Sequence, residues 1–294
     1  MTHAPPSEFG QRCPPGPWGL SIRLAQHCPT NWIGQQIAQV IRRVVIAFAP
    51  LPLDLTVEGC RMRCQLTDNC SENKFAFMPW RFDSAERRIL RESLPSDGVF
   101  VDVGANVGIY SLTAARALGA SGRVIALEPN PPTYARLCFN LQASRGGCES
   151  WPRVDAIPMG VADSEISIDL QVDEHNLGAS SIVPTTDKPR RTVRIHCRPL
   201  LDILAEQAVS HIDVLKIDIE GAEDIALMPF LAAAPASQLP RVLIIENSEQ
   251  RWKHALPGAL RRSGYSAILR TRMNTVYRLA DATRPASRIP DPAS

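Results

Sequence analysis

From residue 98 onward the chain switches repeatedly between continuous apolar runs and apolar residues at helical spacing. Val99–Val103 (VFVDV) is one such run and ends at Gly104. A helical pattern over 107–118 follows and stops at Gly119. Residues 123–127 form a second run, and Asn130-Pro131 opens a second helix with Tyr134, Leu137, Cys138 and Leu141 on one face. Further strands are expected at 154–161, 211–219 and 241–246, with helices at 222–228 and 257–262 and a closing hairpin at 266–269 and 275–279. Uninterrupted apolar strands separated by helices predict a parallel sheet covered on both faces, a doubly wound α/β fold. Residues 166–172 and 192–196 alternate with period two and predict an inserted antiparallel pair around a loop at 176–181.

The segment before this core has a different texture. Residues 1–29 hold six prolines, three glycines and no apolar period, which predicts a disordered leader. Ile33, Ile37, Val40, Ile41, Val44, Val45 and Phe48 then recur at helical spacing behind a cap offered by Pro29-Thr30-Asn31. Arg42-Arg43 interrupts that stripe, which is too short to span a bilayer. A lone helix of this length is marginal in water, so the stripe is expected to pack on the domain, on a second copy as a homodimer, or on a membrane surface. Residues 53–57 and 60–66 read as short strands and 84–91 as a short helix. The expected division is therefore a leader at 1–29, an N-terminal helix and strands at 30–83, the α/β domain at 84–282 and a disordered proline-rich tail at 283–294.

Composition excludes several classes. A chain with 45% hydrophobic and 21% charged residues is neither fibrous nor disordered. A net charge of +2 with scattered arginines carries no nucleic-acid footprint. The first residues have neither a basic start nor an apolar stretch, so a cytoplasmic protein with reduced thiols is expected. Cys60, Cys64 and Cys70 are spaced C-x3-C-x5-C, without the paired C-x2-C knuckles of a zinc site, and read as incidental thiols.

Four clusters carry chemistry. Asp102-Val-Gly104-Ala-Asn106-Val-Gly108 lies at a strand-to-helix turn, where glycine permits close backbone approach and the helix start offers free N–H groups. A dinucleotide fingerprint would need glycine at positions 106 and 109, which are Asn106 and Ile109, so a hydride-transfer enzyme is disfavoured. Glu128, at the next strand end and followed by Asn130, can accept both hydroxyls of a ribose. Lys216, Asp218 and Glu220 share one face of a strand whose other face is Leu215, Ile217 and Ile219; a buried lysine and aspartate there must be paired or used. Glu246-Asn247 closes the fifth strand, on the edge where ligands gather in such sheets.

Residues 100–111 (FVDVGANVGIYS), 122–131 (GRVIALEPNP), 178–181 (GASS) and 215–223 (LKIDIEGAE) are together similar to the FkbM-type methyltransferase family, over about residues 84–280. The resemblance implies a Rossmann-like class I methyltransferase sheet with an N-terminal helical and β extension. It further implies an S-adenosylmethionine-dependent O-methyltransferase acting on a hydroxyl of a sugar, glycolipid or natural-product acceptor. Gly104, Asn106 and Gly108 would then shape the loop under the methionine part of the cofactor, Asp102 would orient its amino group, and Glu128 its ribose. Asp163 stands where such enzymes contact the adenine amino group, although Asp163-Ser164 also reads as a turn. Residues 1–55, the Cys60–Cys70 cluster and Asn247 fall outside the family pattern.

Asp218 is the expected general base, with Lys216 and Glu246 beside it. A second route is a magnesium-assisted reaction resembling catechol O-methyltransferases, with Asp218, Glu246 and Asn247 as oxygen ligands. A non-catalytic cofactor-binding relative is a third reading. His196 reads as structural, and His175 with Asn176 as part of an acceptor pocket by position alone.

Overall fold

The computed structural model describes residues 8–148, 150–172 and 191–280. The chain runs α1 (Pro17–Gln26), α2 (Trp32–Phe48), β1 (Leu53–Val57), β2 (Cys60–Cys64), α3 (Cys70–Phe77), α4 (Ser84–Ser93), β3 (Val99–Val103), α5 (Ile109–Ala117), β4 (Arg123–Leu127), α6 (Pro131–Arg145), β5 (Arg153–Ile157) and β6 (Gly160–Val161). It continues through β7 (Ile166–Val172), β8 (Arg191–Arg198), α7 (Leu200–Glu206), β9 (Val214–Ile217), α8 (Glu223–Ala233), β10 (Val242–Glu246), α9 (Leu256–Arg262), β11 (Tyr265–Arg270) and β12 (Asn274–Leu279).

Seven strands form the central sheet in the order β11-β12-β10-β9-β3-β4-β5. The inner strands pair in parallel, and the β11–β12 hairpin adds antiparallel at the β10 edge. Because successive side chains point to opposite faces, Val101, Ile125, Leu215 and Leu243 pack on one side with Leu204, Leu227 and Leu260 from α7, α8 and α9. Phe100, Val124, Val214 and Ile244 pack on the other with Leu90 and Tyr110 from α4 and α5. Apolar burial on both faces explains why these strands are uninterrupted in sequence.

The expected strand at 154–161 is divided. Its first part is β5 of the central sheet, and Gly160–Val161 turns away as β6 into a small sheet ordered β6-β8-β7. The predicted β7–β8 antiparallel pair forms, with Ile168 opposite Ile195. The loop at 176–181, with His175, Asn176 and the 178–181 block, lies outside the described residues, as do residues 1–7 and the tail at 283–294.

One expectation for the N-terminal part is corrected. Residues 17–26, read as leader, form helix α1: Pro17 starts it, where a missing N–H costs nothing, and Ile22 and Ala25 are buried against α2 and α3. Two buried residues per helix are too few to register as a period. Asn31 does cap α2, accepting from the Gly34 N–H at 2.9 Å. The apolar stripe is split: Val45 is buried and Ile41 packs on the domain beside Gly34 and Ala38, while Ile33, Ile37, Val40, Val44 and Phe48 are exposed. Helix α3 was not expected. Asn69 caps it, and its buried residues Glu72, Phe75, Ala76 and Phe77 cluster without helical period.

Cys60 and Cys64 project from the buried face of β2, whereas Cys70 is exposed on α3. Burial pushes the Cys60 thiol up to about 12, as suits an inert core side chain.

Candidate active site

From β3 the chain proceeds to β4 and β5 on one side of the sheet and later to β9 and β10 on the other. The carboxyl ends of β3 and β9 therefore flank the reversal in strand order, the place where doubly wound sheets open a crevice. Asp102 of β3 stands opposite Lys216 of β9 in the register, and Asp218 follows one residue beyond β9. A cavity of about 710 Å³ opens there. Six residues expected from sequence line it: Asp102, Gly104, Asn106, Lys216, Asp218 and Glu246.

Lys216 is the charge centre. It is 4% exposed, and its Nζ donates to Asp218 Oδ2 at 3.1 Å and lies 4.8 Å from the centroid of the Tyr110 ring. Burial lowers its pKa, but the attraction of Asp218, Asp102 and Asp83 outweighs that and holds it above the usual lysine value. The Tyr110 hydroxyl donates to Asp83 at 3.1 Å, so Asp83 and Tyr110 complete the shell around the ammonium. Neither was expected from sequence. The signal for Tyr110 was its place in the first turn of α5, two residues after Gly108.

Asp102 is fully buried. Its Oδ2 accepts from Ser111 at 2.6 Å and its Oδ1 has no partner in the protein. Burial raises its pKa, opposed by Lys216. Gly104, at φ 76°, is required for a reason internal to the protein: an added Cβ would stand 2.0 Å from the Asp218 carbonyl oxygen. Asn106 adopts φ 54°, with its Oδ1 accepting from Asn69 Nδ2 at 2.7 Å, so the cap residue of α3 holds the turn from outside.

Four expected residues are not on the cavity wall. Glu128 lies behind the turn, where Oε2 accepts from the Asn106 N–H at 2.8 Å and Oε1 from the Asn130 N–H at 2.9 Å. Each oxygen keeps a further lone pair for a hydroxyl. Asn130 is 1% exposed, and both its Oδ1 and Nδ2 lack a partner in the protein, as does the neighbouring Thr133 Oγ1. Its side chain thus makes no capping bond to α6; the residue only precedes Pro131. Gly108 is the left-handed residue before α5. Asp163 is exposed in the β6–β7 turn, accepting from Ser164 Oγ at 3.0 Å.

The carboxylates of Asp218, Glu220 and Glu246 lie within 4.8 Å of one another and could hold a metal ion. Asn247 does not join them, because its Nδ2 donates to the Thr271 carbonyl and its Oδ1 accepts from Thr275. Glu220 takes that place, brought in by a left-handed backbone at φ 57° and tied to Arg251 at 3.2 Å.

The family model of the methyltransferase FkbM domain matches residues 102–267, more than half of the 294-residue chain. The chain belongs to the FkbM methyltransferase family. Methyltransferase sdnD of Sordaria araneosa is 28% identical over 159 residues, 45% of this chain and 60% of that protein. Hexuronic acid methyltransferase AglP of Haloferax volcanii is 27% identical over 136 residues, 46% of this chain and 51% of that protein. AMB antimetabolite synthetase AmbE of Pseudomonas aeruginosa is 29% identical over 219 residues, 60% of this chain and 10% of that protein. The chain thus matches at most 60% of the length of any of the three.

The acidic cluster of this FkbM chain makes its stability depend on pH. Burial, followed by Asp218, pushes Glu246 up to about 8; burial and Asp218 also push Glu220 up to about 7, against Arg251. Burial raises Glu128 to about 7, against its two amide bonds. A carboxyl whose folded pKa is raised holds its proton more tightly in the folded state. Its stabilising contribution is complete below its ordinary value of 4.5 and is lost as pH rises through 7–8. The melting temperature of the protein alone should therefore fall from about pH 5 to about pH 8.5, with a shallower slope in Glu246→Gln. A melting temperature that rises across that window would contradict the assignment.

Proposed function

We propose that this chain is an S-adenosylmethionine-dependent O-methyltransferase acting on a hydroxyl of a sugar, glycolipid or other natural-product acceptor. The observation that carries the reading is the Lys216–Asp218 pair at the strand-order reversal, facing a cavity large enough for a small ligand. When bound, S-adenosylmethionine supplies an activated methyl group on its sulfonium. The residues fit such a cofactor: the unpartnered Asp102 Oδ1, Asn130 side chain and Thr133 Oγ1 are polar atoms awaiting a polar ligand, and Glu128 keeps lone pairs for ribose hydroxyls.

The work of the chain is alignment and proton removal. An alcohol is a poor nucleophile until its proton is taken. Asp218 is the base: it is half-buried at the cavity, and Lys216 fixes one of its oxygens. Glu246, pushed up to about 8, is a secondary proton store beside it. Around the same cavity stand Arg42, Lys74, Arg81 and Arg272, none of which forms an ion pair among the described residues. Four unpaired cations favour an acceptor that carries a negative group as well as the hydroxyl.

Calorimetry with S-adenosylhomocysteine tests the cofactor part. Binding is expected, and Glu128→Ala should weaken it about 10-fold or more, since each lost hydroxyl bond is worth on the order of 1 kcal/mol. Binding of a nicotinamide dinucleotide and not of S-adenosylhomocysteine would overturn the reading. A screen of sugar, glycolipid and polyketide-type acceptors with labelled S-adenosylmethionine then identifies the hydroxyl.

A further inference from the structure

Helix α2 has two apolar faces and the domain covers one. Gly34, Ala38, Ile41 and Val45 pack inward, while Gln35, Gln39 and Arg42 wall the cavity. Ile33, Ile37, Val40, Val44 and Phe48 form the second face, each between 43% and 72% exposed. Trp32 at the start of the helix is 71% exposed, and Leu20 and Leu24 of the adjoining α1 are 67% and 58% exposed. Only two other large apolar side chains of comparable exposure, Ile166 and Met273, occur among the described residues. The exposed large apolar side chains therefore concentrate on two adjoining helices rather than scatter, which marks an interaction surface.

Charge identifies what covers it. Between Glu8 and Asp54 the sequence contains no acidic residue and four arginines, Arg12, Arg23, Arg42 and Arg43. Arg23 and Arg43, beside the apolar stripe, form no ion pair among the described residues. A two-fold contact with a second copy would press two such acid-free segments together, arginine against arginine with no carboxylate to pair. A bilayer with anionic headgroups meets both demands: acyl chains take the apolar stripe and phosphates take the arginines. Trp32, at the start of α2, is a residue type that settles at the headgroup boundary, and Phe48, at its end, is one that inserts from the apolar face of interfacial helices. The helix would lie in the interface, since no helix among the described residues is long and apolar enough to cross a membrane.

We propose that the α1–α2 face seats this protein on an anionic membrane surface. The Gln35, Gln39 and Arg42 side of α2 then holds the cavity about one helix diameter, roughly 10 Å, from the lipid. An acceptor carried on a lipid headgroup would reach the cavity at that height; this last step rests on the methyltransferase reading, whereas the docking does not.

Co-sedimentation of the full chain with vesicles tests the docking. Vesicles of phosphatidylcholine with about one third phosphatidylglycerol should pull down the protein at least 10-fold better than phosphatidylcholine alone, with the difference shrinking as salt is raised. Ile37→Asp with Val40→Asp should abolish binding, and Arg23→Gln with Arg43→Gln should remove the preference for anionic vesicles. Circular dichroism and S-adenosylhomocysteine calorimetry on the same variants separate loss of docking from loss of fold or of cofactor binding. Three results would overturn the proposal: no binding to either vesicle, equal binding to both, or a dimer by light scattering that Ile37→Asp with Val40→Asp converts to monomer while vesicle binding is unchanged.

Discussion

Replacing Asp218 with Asn should lower methyl-transfer turnover by about 10²–10⁴-fold while S-adenosylhomocysteine binding changes by no more than a few fold. The substitution keeps the shape of the side chain and its contact with Lys216 Nζ but removes the charge proposed to take the acceptor's proton. The size of the effect follows from what surrounds the residue. Lys216 is buried among Asp102, Asp218 and Asp83, so its charge is fixed and only one of the Asp218 oxygens is engaged. Glu246, raised to about 8, holds its proton at neutral pH and substitutes poorly as a base. Single-turnover kinetics with the acceptor found in the screen is the measurement. Turnover within a factor of a few of the parent would remove Asp218 from proton transfer. Loss of parent activity on chelation, restored by magnesium, would assign Asp218, Glu220 and Glu246 to a metal instead.

What could be read from sequence, and what could not, divides along the burial of backbone and side chains. Strands β3, β4, β9 and β10 were legible because each is apolar on both faces, and the order of their chemical residues followed from the sheet. Lys216 and Asp218 stand out because charge inside such a strand contradicts its surroundings, and Asp102 because it opens the D-x-G-x-N-x-G turn. Helix α1 is hidden because the prolines and glycines in and before it mask two buried residues, Ile22 and Ala25. The apolar stripe of α2 was visible, but periodicity cannot tell which of two apolar faces a domain will take, and here the small residues Gly34 and Ala38 allow closer packing than the large ones. Strand alternation already sets Glu220 on the face of Asp218, but the strand ends at Ile217 and a left-handed turn carries Glu220 into the acidic cluster in place of Asn247, which spacing alone does not encode. Asn69, far away in sequence, reaches Asn106 only through the tertiary fold.

Two glycines of the Asp102–Gly108 turn should respond unequally to the same change. Gly104 has φ 76° and Gly108 has φ 94°, so alanine strains either backbone by about 1–2 kcal/mol. The neighbours decide the rest. At Gly108 the new methyl would meet the Leu137 Cδ1 at 2.7 Å, the free end of a side chain that can rotate away. At Gly104 it would meet the Asp218 carbonyl oxygen at 2.0 Å, which is backbone at the end of β9 and moves only if β3 and β9 separate. Gly104→Ala should therefore cost about 4 kcal/mol or more, against about 1–2 kcal/mol for Gly108→Ala. Urea denaturation of both variants measures the difference. Where Gly104→Ala still folds, it should also displace Asp218 and lose turnover more steeply than S-adenosylhomocysteine affinity, because the clash falls on the backbone of the proposed base. Equal losses of stability in the two variants would show that the β3 and β9 ends are not as close as this geometry places them.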